Sequence, residues 1–148
     1  MREPLIAKRV LLGRELVEMY ETIQETLVAV DANDEVVGCG ALHIMWQDLA
    51  EVRSLVVDEN QRGRGVGQAL VAALIERAKG LGIRRVFCLT FEVDFFAKLG
   101  FSPISDTPVD AATYAELLRS SDEGIAEFLD LARVKQNTLG NTRMLRLL

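Results

Sequence analysis

The chain has 148 residues, of which 49% are apolar and 26% charged, with a formal net charge of −5. This is the balance of a globular domain with a real core, not of a disordered or repetitive chain, and an acidic chain lacks the basic footprint of a nucleic-acid binder. No run approaches the length of a membrane span, and Met1 to Val10 has neither the apolar core nor the cleavage site of a secretory signal, so a single cytoplasmic domain over 1–148 is expected.

In chain order, Lys8 to Ile23 spaces its apolar residues as a helix would. Glu25 to Val30 and Glu35 to Trp46 read as strands joined by the turn residues Asp31 to Asp34, which predicts a β-hairpin. The second strand contains Cys39 and the single histidine, His43. Glu51 to Asp58 is a third strand with an apolar end. Gln68 to Leu81 is an amphipathic helix that stops at Gly80 and Gly82. Arg84 to Phe91, with Cys88, is a fourth strand, Val93 to Leu99 a short helix, and Phe101 to Ile104 another strand. Val109 to Ala132 reads as helical with a break near Ser120 to Gly124, and Asn141 to Leu148 closes as a strand. A hairpin followed by alternating strands and helices predicts an α/β (α+β) domain, a mixed sheet with helices on both faces. Both cysteines are expected to be buried free thiols. One histidine and two scattered cysteines predict no metal site.

Chemistry concentrates in Gln61 to Gly67 (QRGRGVG), between a strand and a helix. Alternate glycines let the backbone turn tightly and approach a ligand. The following helix aims its free N–H groups at the same place, which makes an anion site suited to a pyrophosphate, and Arg62 and Arg64 would add direct phosphate contacts. A Walker loop needs a Lys followed by Ser or Thr after its last glycine, and here Gln68 and Ala69 follow. A dinucleotide fingerprint needs a ribose-binding acid at the end of the next strand, and none occurs before Glu92. Taken alone, the glycine turn is equally compatible with a plain turn carrying solvated arginines.

Arg62 to Gly67 resembles the acetyl-CoA signature of the GCN5-related N-acetyltransferase (GNAT) superfamily, and Phe95 to Phe101 (FFAKLGF) resembles its second landmark. The resemblance narrows at Glu51 to Val57, Val86 to Thr90 and Asn141 to Leu145, which are similar to the acetyltransferase domain of N-acetylglutamate synthases, above all the short single-domain kind. It implies a mostly antiparallel sheet splayed between two central strands, with acetyl-CoA as co-substrate. The cofactor would meet Leu55, Val56, Val57, Gln61, Arg62, Gly63, Arg64, Gly65, Val66, Gly67, Gln68, Phe95, Phe96 and Lys98. It implies transfer of the acetyl group to the α-amine of L-glutamate or L-glutamine, the first step of arginine biosynthesis. Glu51 would be the general base and Thr90 the hydroxyl donor to the departing thiolate, with Arg53, Ser54, Lys135, Asn141 and Thr142 binding the amino acid. For Arg53 an internal pair with Glu51 or Asp48 is the rival reading, since an arginine in an apolar strand needs a partner.

Two departures from the superfamily pattern stand out. The usual first strand is expected to be missing or supplied by a partner, which with analogy points to a homodimer. Phe96 stands where many members have a tyrosine acid, a replacement the synthases share. The alternatives are an acetyltransferase for another small amine or a protein N-terminus, and a non-catalytic CoA-binding module. A cationic amine would call for an acidic pocket, against which Arg53, Lys135 and Arg143 argue.

Overall fold

The computed structural model describes residues 16–131 and 140–148. Its six strands are β1 (Thr26–Val30), β2 (Val36–Trp46), β3 (Leu49–Val57), β4 (Arg85–Thr90), β5 (Ser102–Pro103) and β6 (Thr142–Leu147), in one sheet of order β1-β2-β3-β4-β6-β5. Among the described residues only β3 and β4 run parallel; the other pairs are antiparallel. The helices are α1 (Leu16–Glu21), α2 (Val66–Gly80), α3 (Val93–Lys98), α4 (Ala111–Leu117) and α5 (Glu123–Phe128).

The period of two along β3 explains the layering. Ala50 and Val52 point to one face, where Val71, Leu74, Ile75 and Ala78 of α2 join Val86, Phe101 and Met144 in one core. Leu49 points to the other face, packing with Phe87, Leu117, Ile125 and Phe128 beneath α4 and α5. Phe87 and Phe128 are fully buried and meet edge to face, centroids 5.3 Å apart. Glu51 and Arg53 share the α5 face with Leu49, so this second core has a polar margin at the start of α5.

Most predicted elements stand within one or two residues of their expected ends. The hairpin turn is held by Asp31, whose Oδ1 accepts from the Asn33 and Glu35 backbone N–H groups. Two expectations change. The predicted helix over 8–23 appears in its described part as the short α1 and a 3-10 turn at Ile23–Glu25, with Leu16, Val17, Tyr20 and Ile23 exposed; the rest, and the expected missing first strand, lie outside the described residues. The strand predicted over 101–104 shrinks to β5, two residues. The helical stretch predicted over 109–132 with a break near 120–124 is, through residue 131, two short helices with the break between Leu117 and Glu123, and Asp110 and Asp122 start them: their carboxylates accept from Thr113 and Ile125 N–H respectively.

Candidate active site

The parallel pairing of β3 with β4 is short: Leu49, Ala50 and Glu51 stand opposite Arg85, Val86 and Phe87, and there the ladder ends. Past Glu51 the two strands part. A β-bulge reinforces the parting. Cys39 faces Val56 and Ala41 faces Arg53, so Ser54 and Leu55 together oppose Gly40. Ser54 has a left-handed backbone, φ 57°, a conformation seldom adopted by residues other than glycine. The opening between the strands is a cavity of about 340 Å³ lined from β3 by Val52 to Val57 and from β4 and α3 by Leu89, Thr90, Phe95 and Phe96, among others.

Arg62 and Gly67 stand at one end of this cleft. Gly63 and Gly65 adopt φ values of 77° and 81°, the turn that brings the chain from β3 into α2. Gly65 caps α2 without any side chain, so the first N–H groups of this 15-residue helix stay available to a ligand. A Cβ on Gly67 would meet the Phe95 ring at 3.3 Å. A splayed pair of strands leading to a bare helix N-terminus flanked by an arginine fits a long thioester cofactor with a pyrophosphate at one end.

Beyond the inner end of the cleft lies a charged cluster. Glu51 is 5% exposed and does not line the cavity. Arg53 Nε donates to Glu51 Oε2 at 2.8 Å, and Nη2 lies 2.5 Å from the same oxygen. Its Nη1 and Nη2 donate to Asp122 Oδ1 and Oδ2 at 2.9 and 2.8 Å, a two-pronged pair. On the other side of Asp122, His43 Nε2 stands 3.8 Å from Oδ1, and His43 Nδ1 is 2.8 Å from Glu25 Oε1. Burial holds the Glu51 carboxyl above the ordinary carboxylate range; the Asp122 charge pushes the same way, while Arg53 and His43 pull against it. Asp122, though burial opposes it, is held down to about 2 by its hydrogen bonds with Arg53 and that cation's charge.

The expected cofactor residues divide. Leu55, Val56, Val57, Arg62, Gly67, Phe95 and Phe96 line the cleft. Gln61, Gly63, Arg64, Gly65, Val66 and Gln68 form the turn and the start of α2 without lining it, and Arg64 donates to the Gln61 side chain. Lys98 is exposed at the end of α3. Phe96 is only 5% exposed and packs edge to face on Phe95 and Phe101, so it belongs to the core as much as to the cleft. Thr90 is buried against the cleft and its Oγ1 accepts from Glu92 N–H at 2.8 Å, which leaves the hydroxyl proton free to be donated. Thr142 stands opposite Thr90 in the sheet. The Asn141 Oδ1 is buried without a partner among the described residues, and Lys135 lies outside them.

Two arginines differ from expectation. Arg53 takes the rival reading in part: it pairs with Glu51, but Asp48 pairs with Arg85 instead, and the second carboxylate is Asp122. Arg143 binds the backbone carbonyls of Glu127, Asp106 and Phe128, tying β6 to the end of α5. Sequence reasoning missed Asp122, His43 and Gly124. Asp122 falls within the predicted helix break, but no local pattern connects position 122 to position 53.

A family model described as the acetyltransferase (GNAT) family matches residues 8–101. The chain belongs to the GNAT acetyltransferase family. This acetyltransferase is 51% identical over 144 residues to an amino-acid acetyltransferase of Mycobacterium tuberculosis, covering 96% of this chain and 83% of that one. An amino-acid acetyltransferase of Aeromonas salmonicida is 33% identical over 97 residues, 63% of this chain but 22% of its own length. Among solved structures, a Mycobacterium tuberculosis protein in complex with CoA and NLQ has a TM-score of 0.92 at 49% identity, over 98% of this chain and 90% of that one. N-acetylglutamate synthase from Neisseria gonorrhoeae, complexed with coenzyme A and N-acetyl-glutamate, shares the fold, with a TM-score of 0.75 at 24% identity over 99% of this chain and 31% of that one. As a GNAT acetyltransferase the protein takes its acetyl group from acetyl-CoA.

Proposed function

We propose that this acetyltransferase acts on free amino acids, transferring the acetyl group to the α-amine of L-glutamate or L-glutamine, the first step of arginine biosynthesis. The observation that carries the reading is Glu51, a buried carboxylate with a raised proton affinity at the apex of the splayed strands. A free α-amine is an ammonium ion at neutral pH and cannot attack until a base takes its proton. Glu51 is that base. It lies behind the cleft wall, so the proton reaches it through an intervening water. Acetyl-CoA supplies an activated thioester. The neutral amine then attacks the carbonyl carbon, the nitrogen releases its second proton to solvent as the tetrahedral adduct collapses, the C–S bond breaks, and Thr90 donates its free hydroxyl proton to the departing sulfur and regains one from solvent. The backbone N–H groups within Leu55 to Val57 that point away from β2, beyond the end of the β4 pairing, face the carbonyl oxygen as charge develops there. The amino acid's carboxylates fall to the Ser54 N–H in the bulge and to Lys135, Asn141 and Thr142. Relatives named amino-acid acetyltransferases support the substrate class.

Arg62 carries the phosphate end in this reading. Arg62→Ala should raise the KM for acetyl-CoA about tenfold, the loss of one exposed charge-assisted contact, and leave kcat within about twofold. Steady-state kinetics at two salt concentrations checks it: the variant should also lose much of the salt dependence of KM.

A second reading, acetylation of another amine, is favoured by one observation. Arg53 and Arg143, which argued against a cationic substrate, are committed to internal partners, and the Glu51, Arg53 and Asp122 group carries net negative charge when both acids are ionised. Acetyl-CoA-dependent thiol release across free amino acids, polyamines, aminoglycosides and N-terminal peptides separates the two. Turnover selective for glutamate or glutamine supports the proposal; turnover confined to cationic amines or peptides discards it; CoA binding without turnover on any amine means a sensing module.

A further inference from the structure

The first function assigned to Glu51 leaves open why a base should be paired with an arginine at all. A carboxylate held by Arg53 alone would be pulled toward the ionised form and would be a poor proton acceptor. Here Arg53 divides itself between two carboxylates. Asp122 reaches it from the start of α5, and the same Asp122 side chain caps that helix through Ile125 N–H at 2.9 Å. The other titratable groups near Glu51 are His43, which stands opposite it on β2, and Cys88, on β4 with its side chain in the core of the other face, whose thiol burial and the Glu51 charge keep protonated.

We propose that Asp122 is a positioning residue of the reaction: it holds Arg53 from the α5 side and so keeps Glu51 both oriented and basic. The proposal rests on Glu51 being the base. The predicted consequence is counterintuitive for a merely structural contact. Removing the Asp122 charge withdraws a repulsion from Glu51 and leaves Arg53 to it alone. Both changes favour the carboxylate, so Glu51 titrates at a lower pH and becomes a weaker base.

Asparagine caps helices about as well as aspartate, so Asp122→Asn removes charge while keeping the cap. Asp110→Asn is the matched control, because Asp110 caps α4 in the same way on the exposed surface. The carboxyl resonances of ¹³C-labelled glutamates are titrated by NMR, with Glu51 assigned by its disappearance in Glu51→Gln, and kcat/KM is measured against pH in the same proteins. In Asp122→Asn the Glu51 midpoint should fall by about one pH unit. The acid limb of kcat/KM should move down with it, and kcat on the plateau should fall about tenfold with the KM for acetyl-CoA unchanged. Asp110→Asn should match the wild type in every measurement. Asp122→Ser, which also keeps a capping oxygen, should give the same shift and replaces the asparagine variant if that one does not fold. An unmoved Glu51 midpoint in both Asp122 variants overturns the proposal, whatever happens to kcat. Full activity in Glu51→Gln would instead overturn the base assignment, and the midpoint would still judge the hold of Asp122 on Glu51.

Discussion

Glu51→Gln should lower kcat by about 10²- to 10⁴-fold, the range that positioned general bases contribute, while the KM for acetyl-CoA stays near wild type. The substitution is nearly isosteric, and the amide can still accept from Arg53, so the cleft that takes the cofactor is not disturbed. What disappears is the proton acceptor. The wild-type enzyme should lose kcat/KM as pH falls and Glu51 protonates. Because burial raises Glu51, that loss should begin above the range of an ordinary carboxylate. The variant's residual rate should instead follow the free fraction of deprotonated amine, rising with pH without an acidic plateau. Stability should move the other way. A buried acid with a raised pKa adds stability at low pH that is lost as pH climbs through its folded value, so Glu51→Gln should be relatively more stable than wild type at neutral pH than at pH 4. Removing one acid from around Arg53 works against that gain, since a buried cation with fewer partners is penalised; thermal denaturation at the two pH values reads the balance. A kcat unchanged by the substitution would move the base elsewhere.

Much of this site is legible in the chain because its parts are local. The glycine turn, the strand before it and the helix after it are contiguous, and the tight turn that the alternate glycines suggested is made with left-handed angles at Gly63 and Gly65. The β3 alternation foretells that Glu51 and Arg53 share a face. What lies on that face is not local. Asp122 is 69 residues from Arg53, and its sequence context reads only as a break in a helical stretch. The bulge at Ser54 is equally hidden: nothing in a run such as Glu51 to Val57 reports that two of its residues will face one glycine across the sheet. Pairing partners far apart in sequence decided each of these outcomes, and periodicity carries no record of them.

Gly124 is where those distant partners meet, and Gly124→Ala should disable the enzyme. It sits in the first turn of α5, and on helix propensity alone alanine there would add up to about 1 kcal/mol of stability. Its surroundings reverse the sign. A Cβ at this position would lie 2.1 Å from Glu51 Oε2 and 2.7 Å from Arg53 Nη2, separations no real structure tolerates. Long side chains on an open surface would swing away cheaply. Glu51 is instead buried and Arg53 partly so, and the two are bonded to each other and pinned by Asp122 at the start of the same helix. Either α5 must lift from the sheet, which opens the core around Phe128 and Ile125, or Glu51 must leave its place. Overpacking of this kind costs about 1–3 kcal/mol, more than the propensity gain, so the midpoint of thermal unfolding should fall by several degrees. Activity should fall by at least about tenfold, because a displaced carboxylate no longer faces the proton it accepts. Gly80→Ala is the comparison to run beside it: that glycine also lies in a helix, yet a Cβ there would meet nothing within 4 Å, so the same substitution should hold or raise the unfolding midpoint and leave kcat alone. If the two variants behaved alike, the close approach of α5 to Glu51 would not be a feature of the working enzyme.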